Sequence, residues 1–171
     1  DLLHHPKGIN MGAWRITIST TGITKKIKQF ANDAHPYKLA VSLNGSSQEQ
    51  RLMTMPITKT QSFSELLEVS QYYTHRTRKR VTFEYVLMAG VNDNPIDAKN
   101  LKEILAPINC KLNLIPYNEI NGPYRRPSDT VIKLFISSLK NASFPVTVRW
   151  SKGQDIDAGC GQLATVSEDN K

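Results

Sequence analysis

The sequence is poor in cysteine, and neither of its two, Cys110 and Cys160, lies in a C-x-x-C or histidine-rich neighbourhood. Two thiols fifty residues apart cannot build a disulfide framework, and their surroundings exclude a structural zinc site of the usual spacing. A reducing compartment is the expectation. Long apolar runs are also missing: none approaches the roughly 18 residues of a membrane span, and the start of the chain has no secretory leader pattern. No membrane association and a cytoplasmic location are expected. Repeats, low-complexity tracts and linker-like blocks are absent too, so no internal domain boundary is placed. What remains is 171 residues, 39% hydrophobic, with a mean hydropathy of −0.39, enough for one globular unit. The charge leans one way, with 22 Lys and Arg against 15 Asp and Glu, a net +7 that permits nucleic acid as a partner. The chain opens on Asp1 and a polar stretch to Gly12, and reads like a piece of a longer protein.

Short runs rich in β-branched and apolar residues predict strands over Arg15 to Ser19, Lys38 to Leu43, Val81 to Met88, Lys111 to Pro116 and Val146 to Trp150. Helical signals fall between them. Ser62-Phe63-Ser64-Glu65 is a capping-box sequence opening a helix to about Tyr73, and Asn94-Pro95 offers an N-cap followed by proline at the first helical position. A third helix begins near Ser128, with Val131, Phe135 and Leu139 on one face. Alternation of this kind predicts an α/β fold with a parallel sheet and right-handed crossovers, either open or curved toward a barrel.

In such folds ligands bind at the carboxyl ends of the strands, so the loops after strands carry function. Here those loops run from Thr20 to Gly22, Asn44 to Thr60, Ala89 to Asn94, Tyr117 to Pro127 and Ser151 to Leu163. Cys160 is in the last. Held between Gly159 and Gly161, its sulfur has room to meet a bulky reactant, and as a thiolate it is a nucleophile and alkyl acceptor; a small packed loop residue is the other reading. Asp155 and Asp157 would raise its pKa and are read as residues shaping the loop. Cys110, opening an apolar strand, reads as structural. Ser19, Ser42 and Asn118 are small polar residues at strand ends, suited to hydrogen-bonding a polar small molecule and equally to making turns. Among cations, His75 to Arg80 precedes a strand and reads as a solvated turn, whereas Arg51, Lys59, Arg125, Arg126 and Lys152 fall in strand-end loops.

Six segments together resemble one family. RITISTTG (Arg15 to Gly22), LAVSLNG (Leu39 to Gly45), MPIT (Met55 to Thr58), VTFEYVLMAGVND (Val81 to Asp93), CKLNLIPYN (Cys110 to Asn118) and DIDAGCGQL (Asp155 to Leu163) are similar, in order and spacing, to the radical S-adenosylmethionine adenine-C2 methyltransferases of RNA, the RlmN/Cfr family. The resemblance runs from about Trp14 to Leu163. It implies an incomplete (βα) barrel of the radical SAM type, acting on 23S rRNA and tRNA. It also implies that Cys160 is methylated by one S-adenosylmethionine, that a second is cleaved reductively at a [4Fe-4S] cluster, and that the radical so formed activates the methyl group for addition to C2. By the same match Ser19, Ser42, Leu43, Asn44 and Asn118 would contact S-adenosylmethionine.

The family's C-x-x-x-C-x-x-C motif, its Gly-Glu-Pro segment and its second catalytic cysteine have no counterpart in the sequence. Asn44 stands where histidine is common and Tyr117 where tryptophan is common. Residues 1–171 are thus expected to be the carboxyl-terminal part of the catalytic domain, without metal ligands of its own, inactive alone and self-associating through an exposed strand edge. A catalytically inactive RNA-binding module on the same fold is the alternative. An unrelated thiol enzyme would need a base near Cys160, and His4, His5, His35 and His75 all lie outside the strand-end loops.

Overall fold

The computed structural model describes residues 2–119 and 123–150. Among them, five strands form one parallel sheet: β1 (Thr17–Thr20), β2 (Lys38–Ser42), β3 (Val81–Leu87), β4 (Cys110–Pro116) and β5 (Val146–Val148), in the spatial order β1-β2-β3-β4-β5. Helix α1 (Thr24–Asn32) connects β1 to β2. Helices α2 (Gln48–Thr54) and α3 (Phe63–Thr77) lie between β2 and β3, α4 (Pro95–Leu105) precedes β4, and α5 (Asp129–Ser138) precedes β5.

Sheet order settles whether the sheet is doubly wound or barrel-like. Each strand is added on the same side of the last, so right-handed crossovers all place their helices on one face. Burial agrees. In β3, Val81, Phe83, Tyr85 and Leu87 are fully buried and share one core with Ile27 of α1, Leu66 and Tyr73 of α3, Leu101 of α4 and Phe135 of α5. The alternate residues Thr82, Glu84 and Val86 are only half-buried on the opposite, uncovered face. The result is a singly wound, barrel-like sheet with an outer wall of helices. No helix among the described residues is long and apolar enough to cross a membrane.

The expected elements are all present, with local differences. Strand β1 starts at Thr17 because Ala13–Arg15 closes a 3-10 turn, in which the Arg15 N–H donates to Gly12 at 2.8 Å. Strand β5 stops at Val148. Helix α3 carries its capping box as expected: Ser62 Oγ accepts from the Glu65 N–H at 3.2 Å, and Glu65 Oε2 from the Ser62 N–H at 3.1 Å. It then runs past Tyr73 to Thr77, ending at Arg78 in the left-handed region (φ 59°), so His75 and Arg76 belong to its last turn. Helix α5 turns Ile132, Phe135 and Leu139 into the core and leaves Val131 half-buried. Helices α1 and α2 and the 3-10 turn Pro56–Lys59 stand where no helix is expected from the sequence.

Candidate functional site

The carboxyl ends of β1, β2 and β4 bring most of the expected residues together. Ser19 is exposed on β1; its register partner Ala40 lies two residues before Ser42, so both serines fall on the uncovered face. Ser42 pairs with Glu84, Glu84 with Asn113, and Asn113 with Thr147, whose hydroxyl donates to Asn113 Oδ1 at 3.0 Å. A polar row thus crosses the middle of that face. Asn118 follows the end of β4, where the Tyr117 N–H still donates to Leu87 at 3.0 Å. The Asn118 side chain is 6% exposed and its Oδ1 has no hydrogen-bond partner. An orphan acceptor in that position is costly unless a donor meets it.

Leu43 and Asn44 have more structural duties than their motif suggests. The Leu43 side chain is fully buried in the core and its N–H donates to Glu84 at 2.8 Å, leaving its carbonyl as the group it can offer. Asn44 adopts the left-handed region (φ 52°), tolerated by asparagine, and this turns the chain away from the sheet. Its Oδ1 accepts from the Val86 N–H at 2.9 Å and its Nδ2 donates to Met55 Sδ at 3.2 Å. Asparagine here closes the ladder between β2 and β3, and one amide N–H remains for a ligand.

Arg51 does not face an RNA. Fully buried, it donates from Nη1 to Thr58 Oγ1 at 2.6 Å and from Nη2 to the carbonyls of Thr21 at 2.6 Å and Ser42 at 3.3 Å. One guanidinium therefore ties the ends of β1 and β2 to the turn after α2. Two glycines make room for it. A Cβ on Gly22, itself at φ +106°, would lie 3.0 Å from Nη2, and one on Gly45 would lie 2.6 Å from the Arg51 backbone nitrogen, so the first clears the guanidinium and the second the backbone that carries it. Of the other cations assigned to this end, Lys59 and Arg125 are exposed, and Arg126 bonds Asp129 at 2.9 Å.

A second set of buried polar residues shapes the loop after β3, and composition did not single it out. Asn92 is fully buried; its Oδ1 accepts from the Met88 N–H at 2.8 Å and its Nδ2 donates to Val86 at 2.8 Å and Asn44 at 3.2 Å. The Tyr85 hydroxyl donates to the Asn92 carbonyl at 2.8 Å, and burial, followed by the charges of Asp97 and Asp93, pushes that phenol far up, so it stays a donor. Asp97 joins the loops after β2 and β3 by accepting from Ser46 Oγ at 2.8 Å and Gln50 Nε2 at 2.9 Å. The available signals were the alternation of VTFEYVL, which puts Glu84 on the uncovered face, and the Asn-Asp-Asn run at 92–94.

Cys110 lies in the core at 2% exposure, and burial pushes its thiol up to about 12, as suits a structural cysteine. Cys160, Asp155, Asp157 and Lys152 lie outside the described residues.

No protein-family model matches the chain. Among curated proteins it is 41% identical over 165 residues to the probable dual-specificity RNA methyltransferase RlmN of Flavobacterium psychrophilum, covering 96% of this chain and 48% of that protein. The same holds for the dual-specificity RNA methyltransferase RlmN of Lawsonia intracellularis, 42% identical over 165 residues, which cover 96% of this chain and 46% of that one. Over nearly its whole length, the chain is similar in sequence to RlmN proteins. It spans about half the length of the curated relatives it matches. Among solved structures, a radical SAM methyltransferase from Sphaerobacter thermophilus superposes with a TM-score of 0.89 at 41% identity, over 94% of this chain and 47% of that one. A domain of pyruvate-formate lyase-activating enzyme from Bacteroides vulgatus gives 0.61 at 17% identity, over 78% and 80% of the two chains, a likeness of fold alone. The singly wound sheet thus superposes on that of a radical SAM methyltransferase, and Ser19, Ser42 and Asn118 stand at the strand ends where parallel α/β folds bind ligands.

Proposed function

We propose that this chain is the carboxyl-terminal part of the catalytic domain of a radical S-adenosylmethionine methyltransferase that methylates C2 of adenosine in 23S rRNA and tRNA, with Cys160 as the methyl carrier. The observation that supports it best is identity of 41% and 42% to RlmN proteins across 96% of the chain, combined with a strand-end site whose buried acceptor, Asn118 Oδ1, lacks a donor.

These residues suit the cofactor. S-adenosylmethionine carries amino and ribose hydroxyl donors, and when bound it supplies the methyl group and a sulfonium that can be cleaved reductively. Asn118 Oδ1 would accept from one of those donors, while the hydroxyls of Ser19 and Ser42 would hold polar atoms on the uncovered face. The Leu43 carbonyl and the spare Asn44 N–H complete the set, on backbone that Arg51 and Asn92 hold in place. No group of three His, Cys, Asp or Glu side chains among the described residues could hold a metal ion. Three thiolates for a [4Fe-4S] cluster exceed the two cysteines of the whole chain, so its ligands would come from elsewhere in the complete enzyme.

The chemistry asked of Cys160 follows from the substrate. Adenine C2 lies between two ring nitrogens and is electron-poor, so it does not displace a methyl group from a sulfonium by itself. A sulfur nucleophile does. In this reading Cys160 Sγ would lose its proton to solvent and form a bond to the methyl carbon as the carbon–sulfonium bond breaks, the sulfonium sulfur leaving as a neutral thioether, and would then present that carbon to the base bound to protein.

The test is made in a full-length enzyme containing this chain. Cys160→Ala should abolish 2-methyladenosine in RNA digests analysed by mass spectrometry, whereas Cys110→Ala should retain it at reduced stability. Methylation surviving Cys160→Ala would refute the carrier role.

A further inference from the structure

Among the described residues, cations stand at both ends of the sheet, but at the carboxyl ends of the strands Arg51 is buried and Arg126 pairs with Asp129. Near the carboxyl ends of the strands, Glu49, Glu65 and Asp129 occupy the first turns of α2, α3 and α5, where helix dipoles favour acids. At the amino ends, Arg15, Lys38, Arg80 and Lys111 follow one another from β1 to β4. Thr17 pairs with Lys38, Leu39 with Val81 and Thr82 with Lys111. Leu39 and Cys110 face the helical core, so Lys38 and Lys111 fall on the opposite side of their strands. Arg15 stands with Lys38 around Trp14, and Arg80, exposed just before β3, donates from Nε to Asn109 Oδ1 at 3.4 Å. A row of four positive charges therefore runs along the lower rim of the uncovered face.

Helix dipoles do not account for this row, because none of the four lies on an α-helix. Nor do ion pairs. Ion pairs among the described residues, such as His35–Asp33 and Arg126–Asp129, include no member of the row. Like charges on neighbouring strands repel, which a polyanion would offset. An aromatic ring accompanies them: Trp14 is 65% exposed, with the Arg15 guanidinium 4.8 Å and the Lys38 ammonium 5.9 Å from its centre. Cations beside an exposed ring suit a nucleic-acid strand, which offers both phosphates and bases.

We propose that this rim binds the phosphodiester backbone of RNA, as a contact separate from the strand-end site. The choice of RNA rests on the proposed methyltransferase function; the demand for a polyanion rests on the row alone. The two places are separated by the length of the seven-residue β3, about 20 Å at about 3.3 Å per residue. A strand of RNA engaged at both is held in register by its phosphates while a base enters the opposite end, and the rim adds affinity without reading sequence.

The experiment compares two neutralised forms of the chain. One carries Arg15→Gln, Lys38→Gln, Arg80→Gln and Lys111→Gln; the control carries Lys25→Gln, Lys26→Gln, Lys99→Gln and Lys133→Gln, exposed helix positions with the same change in net charge. Binding to a short adenosine-containing RNA hairpin is followed by fluorescence anisotropy across a salt series, after thermal melting shows both forms folded. The slope of log K against log salt should flatten by about 3 in the rim form, at about 0.7 to 0.9 per phosphate contact, and by less than about 1 in the control. If the rim form fails to fold, the pairs Arg15→Gln with Lys38→Gln and Arg80→Gln with Lys111→Gln should each flatten the slope by about half as much. Equal losses in rim and control forms, or no RNA binding by the unaltered chain, would overturn the proposal. So would competition by polyglutamate as effective as by poly(A), which would identify an acidic protein as the occupant. S-adenosylmethionine binding, measured on a full-length enzyme carrying the same substitutions, separates this idea from the methyltransferase reading: an enzyme that holds RNA through the rim but takes up no S-adenosylmethionine leaves the rim standing and removes that reading.

Discussion

Arg51 brings a charge into a fully buried position and meets it there with two carbonyls and a hydroxyl instead of a carboxylate. Burial lowers its pKa from the usual guanidinium value, yet arginine stays charged at any pH a protein survives. Replacing it by methionine would leave the carbonyls of Thr21 and Ser42 and the Thr58 hydroxyl without their donor. At about 1 to 3 kcal/mol for each orphaned group, and with some relaxation, Arg51→Met should lower unfolding stability by about 3 kcal/mol in a urea titration. Arg51→Lys cannot span all three acceptors and should recover only part. A loss below about 0.5 kcal/mol would mean that water reaches these groups. Cys110 gives a prediction in pH. Its folded thiol lies at about 12 against an ordinary 9.0, so the folded state favours the protonated form. The corresponding stability is complete below pH 9.0 and is lost as pH rises from there toward about 12. Melting temperatures should fall above pH 9, and Cys110→Ser should fall less steeply than the unaltered chain. A parallel fall in the two proteins would assign the alkaline loss to other groups, of which Tyr85, also raised by burial, is the first candidate.

At the scale of elements, what the sequence made legible depended on whether an element buries apolar residues in a regular pattern. Strands β2, β3 and β4 do, and so does α3 behind its capping box, whereas β1 and β5 bury none of their residues fully and were legible from their β-branched composition alone. Helix α2 is invisible to the same reading because the side chain it buries is an arginine, which any polar-apolar pattern scores as solvent-facing. Helix α1 is hard to see because only Ile27 and Ala31 are fully buried among lysines and glutamine. The candidate site was legible in topology, since Ser19, Ser42 and Asn118 can be placed at strand ends from the sequence alone. The polar network of buried Asn92 and Asp97 with half-buried Gln50 was not, because asparagine, aspartate and glutamine in a loop or the first turn of a helix look alike whether buried or exposed. Helix α5 shows how a periodic reading slips by one position. Val131 and Ile132 are equally apolar, but Ile132 is fully buried and Val131 is not. Ile132→Ala should therefore cost about 2 to 5 kcal/mol by denaturant unfolding, and Val131→Ala less than about 1 kcal/mol. The reverse order would rotate the helix from its described packing.

Across the whole molecule, the sheet of the described residues has two margins and one face that no other described element covers, and these are unequal. Strand β5 is only three residues long, which limits pairing with another chain. Strand β1 is the more exposed margin. Three of its four residues are exposed, Ile18 retains 40% of its surface, and a cleft of about 350 Å³ opens beside it between Ile18 and Phe30. Its outer edge pairs with no other described strand. Lys38 and Arg15 guard only the amino end of this margin, so toward Thr20 the edge lacks the charged residues that usually discourage pairing. Self-association of residues 1–171 through β1 is therefore expected, most simply as a two-fold pair that extends the sheet and covers Ile18 on both copies. Light scattering at micromolar concentration should show dimer, and hydrogen exchange across Thr17–Thr20 should slow as concentration rises. Ile18→Lys should shift the chain toward monomer and leave melting of the dilute protein within about 0.5 kcal/mol, because the side chain is already half in water. A chain that stays monomeric with β1 protected at every concentration would mean that residues outside those described cover the edge, and the mutation at Ile18 would then destabilise the monomer instead.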